Sequence, residues 1–81
     1  MSESIREAVL AVLGTIAPEA DLGALEPDAE LREELEIDSL DLLNFAVGIE
    51  ERTGIAIPES DYARVATLAA CVAYLEERAS S

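Results

Sequence analysis

The 81-residue chain has no histidine and no lysine, and its single cysteine is Cys71. Those absences remove most catalytic arrangements at once. Without histidine there is no Ser-His-Asp or Cys-His pairing, and no His/Cys set suited to zinc. A lone cysteine forms no internal disulfide, which points to a reducing, cytoplasmic setting. Positive charge is scarce too: five arginines face 18 acids, for a formal charge of −13. Nucleic acid and anionic lipid both select for bases, so neither is expected as a partner, whereas basic protein surfaces are. No basic stretch followed by an apolar segment opens the chain, so no signal peptide is expected. The longest weakly polar run, Val65 to Leu75, is too short to span a bilayer. The acids lack EF-hand spacing, and no Walker-type phosphate loop occurs. No catalytic residue and no metal site are therefore expected.

What remains is helical. Ile5, Val9, Val12 and Ile16 recur at a helix period, with Ala8 and Leu13 beside them. Ser4 followed by Glu7 fits a capping box and Pro18 sets the far limit, so a first helix is predicted from about residue 3 to 16. Residues 18–37 hold two prolines, Gly23 and many acids, and read as one long loop. Leu22, Leu25, Leu31 and Leu35 are expected to pin it to the core. A second helix is predicted from Ser39 to about Arg52, with Leu42, Phe45, Ala46 and Ile49 on its inner face and Thr53-Gly54 as its stop. Ile55-Ala56-Ile57-Pro58 reads as an extended apolar anchor, followed by a short helical turn around Ser60–Ala63. Thr67 caps a last helix that carries Leu68, Cys71, Val72 and Leu75 inward, while Tyr62 and Tyr74 are expected at the rim. The sum is one all-α domain, a small bundle of three main helices plus one short one, read as a monomer.

The junction at Glu36-Ile37-Asp38-Ser39-Leu40-Asp41 is where chemistry concentrates. Asp38 is a good N-cap, and Asp41 three residues on can reach back to its amide. That leaves the Ser39 hydroxyl on the first turn, where free N–H groups and the positive end of the helix dipole tolerate a phosphodiester. Serine at a helix start is usually only a cap; here Asp38 already fills that role.

On a wheel of about 100° per residue, Leu40, Asn44 and Val47 fall opposite the inner face, with Leu43 on the shoulder. Asp41 and Glu51 flank them. An apolar strip edged by acids suits docking into a basic-rimmed groove. Ten acids lie between Glu19 and Asp41, at positions 19, 21, 26, 28, 30, 33, 34, 36, 38 and 41, against Arg32 alone. That field should steer basic partners in a salt-dependent way, and it favours loose surface association of divalent cations over a built site. Gly48 either thins the wall beside a pocket or a partner, or is a tolerated surface glycine. Cys71, between Leu68 and Val72, reads as a packing residue.

These residues resemble the acyl carrier protein family. Asp38-Ser39-Leu40 matches that family's attachment triplet, and the context matches in order: the loop with Leu31 to Leu35, Asp38 to Asp41, the pair Glu50-Glu51, Ile57-Pro58, Val65-Ala66-Thr67-Leu68 and Tyr74-Leu75. The resemblance implies a 4′-phosphopantetheine arm, derived from coenzyme A and set on Ser39 by a phosphopantetheinyl transferase. It places Asp38 beside the metal-bound diphosphate during that transfer. It implies a non-catalytic, stand-alone carrier that holds acyl or aminoacyl cargo as a thioester. A loading ligase and acyl-processing enzymes with basic surfaces would meet it through Leu40, Asp41, Leu43, Asn44, Val47, Glu50 and Glu51. Two departures stand out: Glu36 occupies a frequent glycine position, and Asn44 a position often acidic in fatty-acid carriers. They favour a specialised or secondary-metabolic pathway over housekeeping fatty acid synthesis. The alternative is an unmodified acidic helical adaptor for a basic partner; a carboxylate-pair hydrolase fits poorly, since so small a bundle offers no deep pocket.

Overall fold

The computed structural model describes residues 4–79. Helix α1 spans Ile5–Ile16, and Ser4 caps it by accepting the Glu7 N–H at 3.2 Å. The predicted start near Glu3 lies outside the described residues. Ala8, Val9, Val12 and Leu13 are buried, while Ile5 and Ile16, at the helix ends, are half-buried. The Ala17 N–H closes on the Leu13 carbonyl at 2.8 Å, and Pro18, with no N–H to give, ends the element.

The connection to the next long helix is not the uninterrupted loop that composition suggests. Asp21 caps a 3-10 turn at Leu22–Ala24, and Leu31–Glu34 forms a one-turn helix, α2. Its single turn is too short to leave a periodic signature. The segment is tied down by backbone bonds, from Leu31 N–H to the Ala66 carbonyl and from Ala69 N–H to the Pro27 carbonyl, both 2.8 Å. An isolated antiparallel bridge pairs Glu30 with Thr67. Leu31 is fully buried, and Leu22, Leu25 and Leu35 rest half-buried on the core, as expected of pinning residues.

Helix α3 runs Ser39–Thr53 and stops at Gly54, whose φ of 77° only glycine adopts freely, with its N–H on the Glu50 carbonyl. Ile57 is buried and Ile55 half-buried, as an anchor should be. A 3-10 helix then spans Glu59–Val65, longer than the predicted 60–63, and Thr67 Oγ1 caps α4, Leu68–Ala79, through the Ala70 N–H at 3.1 Å.

The core is a single cluster in which α1 packs against both α3 and α4, with Leu13, Phe45, Ile49, Leu68 and Leu75 sealed at its centre. One expectation needs correcting. Tyr74 is not a rim residue: it is 3% exposed, because Asp61 lies within hydrogen-bonding reach of its hydroxyl and makes burial affordable. Gly48 lines a shallow hollow with Ala11, Val12, Thr15, Glu51 and Arg52, and its missing side chain matters for packing. A Cβ there would lie 2.8 Å from Val12 Cγ1, so glycine permits the close approach of α1 to α3.

Candidate functional site: the start of helix α3

The site is built by the end of α2. Leu35 closes the last turn, Glu36 adopts a left-handed φ of 52°, and the Ile37 N–H returns to the Arg32 carbonyl at 3.2 Å. This six-to-one bond past a left-handed residue is a Schellman termination. Past the turn Ile37 is buried, as is Leu31 at the head of α2. Ile37 is thus withdrawn from solvent, while Ser39 two residues on is exposed. Buried Ile37 and the chain reversal together fix where the next residue points.

That residue is Asp38. Its Oδ1 accepts the Asp41 N–H at 2.9 Å, and Asp41 Oδ2 accepts the Asp38 N–H at 3.2 Å, a complete reciprocal cap. Ser39 follows as the first residue of a 15-residue helix and is exposed. No hydrogen bond within the described residues engages its hydroxyl. The N–H groups of Ser39 and Leu40 have no intrahelical acceptor, and both aspartates are directed onto backbone amides. A phosphodiester on Ser39 would find open solvent, two unsatisfied donors and the positive helix end. The residues present fit such a group.

Around it, Leu40 is 64% exposed, and Leu43 and Val47 are each 47% exposed. Leu43, on the shoulder, is as exposed as Val47 and extends the apolar strip. Asn44, Glu50 and Glu51 are exposed beside it. Asp41 is half-buried and occupied by the cap, so it contributes less to the rim than its charge suggests.

The wheel had not indicated a groove on the other flank of α3. It encloses about 320 Å³ and is lined by Leu31, Arg32, Leu42, Tyr62, Val65 and their neighbours Glu30, Ala63 and Ala66. Leu42 lies one turn beyond Ser39 on the same side of α3. Only the half-apolar Glu59–Val65 segment hinted at it, since which side of a short 3-10 helix faces outward depends on what packs behind it. Among the described residues, no helix is long and apolar enough to cross a membrane.

Comparison with known proteins agrees with this geometry. A family model described as a phosphopantetheine attachment site matches residues 3–75. The acyl carrier protein of Rubrobacter xylanophilus is 37% identical over 57 residues, 70% of each chain. That of Campylobacter hominis is 32% identical over 74 residues, covering 91% of this chain and 87% of its own. That of Rhodococcus erythropolis is 32% identical over 77 residues, 89% of this chain and 82% of its own. With an all-helical body and a match running through nearly its whole length, this chain belongs to the acyl carrier protein family, whose members bear a covalent 4′-phosphopantetheine group.

Proposed function

We propose that Ser39 is the attachment residue and that the protein carries an acyl or aminoacyl group as a thioester on that arm. The observation behind this reading is an exposed hydroxyl that the fold does not use, on the first turn of a helix capped by its neighbours. When bound, the arm supplies a terminal thiol, and so the thioester. The chain's own residues hold and present it. Asp38 fixes the first turn and stands next to the hydroxyl that a phosphopantetheinyl transferase modifies. Leu40, Leu43 and Val47 offer the apolar contact for partner enzymes, with Asn44, Glu50 and Glu51 as its polar edge and Asp41 nearer the cap. The groove beside Leu42 and Tyr62 shelters the apolar part of a cargo.

The pathway reading is a specialised one, supported by Glu36 at a position where many carriers have glycine and by Asn44 on the docking face. The test is intact mass after incubating the apo protein with coenzyme A and a broad-specificity phosphopantetheinyl transferase. One arm should be added to the native chain and none to Ser39→Ala. Addition to the alanine variant would move the attachment point elsewhere. The exposed apolar strip by itself also suits an unmodified adaptor; that reading requires full partner binding by Ser39→Ala and no arm on protein isolated from its host.

A further inference from the structure

The residues of the 3-10 helix divide by its period of three. Asp61 and Arg64 are eclipsed on the face toward α4, while Tyr62 with Val65, and Ala63 with Ala66 just beyond, line the groove. On α4, Tyr74, Glu77 and Arg78 share one face. The two faces are joined by a dense polar cluster. Tyr74 donates its hydroxyl to Asp61 Oδ2 at 2.6 Å, and Arg78 Nη2 donates to the same oxygen at 3.0 Å. The Arg78 and Arg64 guanidinium carbons stand 4.5 and 5.0 Å from the Tyr74 ring centre, and Arg64 pairs with Glu77 at 3.5 Å. The strongest packing of the 3-10 helix is with α4. On the α3 side lies the groove.

An apolar-lined groove in water tends to close by bringing its walls together. This one is open, and its outer wall is anchored from behind. We infer that Asp61, Tyr74 and Arg78 form a clamp that draws the 3-10 helix onto α4 and so holds the groove open before any cargo enters. They are positioning residues: none lines the groove, and each acts through Tyr62, Ala63 and Val65. Such preorganisation lowers the ordering cost of taking in an apolar tail or ring. The occupant rests on the carrier reading above; the clamp itself does not.

Two measurements separate them. The first is amide hydrogen exchange on the unmodified protein. Tyr74→Phe keeps the ring and its packing but removes the donor, and Asp61→Asn keeps the shape but removes the charge. Each should raise exchange across residues 59–66 about tenfold while leaving α1 and α3 unchanged. Unaltered exchange at 59–66, or an equal rise everywhere, overturns the clamp. The second loads an octanoyl-bearing arm from the corresponding coenzyme A thioester. Cargo should protect Leu42 and Tyr62 amides in the native chain, and at least threefold less in Tyr74→Phe; equal protection in both overturns the clamp's effect on the groove. Failure of the carrier reading would appear differently, as absence of the arm by mass.

Discussion

A glutamate held at φ 52° carries a backbone cost that glycine would not. Glu36→Gly should therefore raise stability by about 0.5–1 kcal/mol, allowing for the extra entropy glycine loses on folding. A urea midpoint shift with unchanged slope would register it, and Glu36→Gln, which removes only the charge, should recover little of it. The family resemblance sets Glu36 at a frequent glycine position without a reason, and the left-handed turn that ends α2 offers one. Cys71 was legible as a packing residue, and its burial has a pH consequence. Removal from water pushes the thiol from its ordinary 9.0 to about 12. Folding keeps the proton that the unfolded chain releases first. Stability from this group is complete below about pH 9 and is lost as pH climbs towards about 12, by roughly 4 kcal/mol over the window. Urea midpoints measured from pH 8 to 11 should fall more steeply for the native chain than for Cys71→Ala.

The helix boundaries show how far pattern reading reaches. The caps at Ser4, Asp38, Thr67 and Gly54 were visible because each is a local chemical event within three or four residues. The α2 turn and the extent of the 3-10 helix were not, since both depend on bonds to distant backbone such as Leu31 to Ala66. Helix α3 carries two predictions of its own. Asp38→Ala should cost α3 about 1 kcal/mol through loss of the cap, whereas Asp38→Asn, an equally good cap, should preserve thermal stability. If Asp38 also serves arm transfer through its charge, the asparagine variant will slow modification without softening the fold. Comparing melting curves with modification time courses checks both. Gly48→Ala should gain about 1 kcal/mol in helix propensity yet lose more, about 1–3 kcal/mol, against Val12. Val12 is buried and stiff at χ1, so it cannot step aside. Denaturation of the double variant with Val12→Ala should show alanine at 48 tolerated far better than in the native background.

The charge of the whole molecule was readable directly, and it acts on two observables in opposite directions. With a formal charge of −13, the folded chain repels itself, so adding salt should raise its unfolding midpoint. The same screening should slow association with basic partners, by about tenfold or more between roughly 0.05 and 0.5 M sodium chloride. Stopped-flow binding beside thermal melts across one salt series measures the pair; an association rate indifferent to salt would remove electrostatic steering from the account. The exposed strip proposed for docking was partly legible at this scale. Leu40, Val47 and the flanking acids follow from helix geometry, but the groove does not, because it is a space between elements.

The reciprocal bonds of Asp38 and Asp41 leave Ser39 with no duty in folding. A body whose architecture ignores that hydroxyl should fold alike with or without the arm proposed for it. On the carrier reading, an enzyme telling a bare arm from a missing one would have to sample what dangles from the surface, and only a cargo seated beside Leu42 and Tyr62 would mark the scaffold itself.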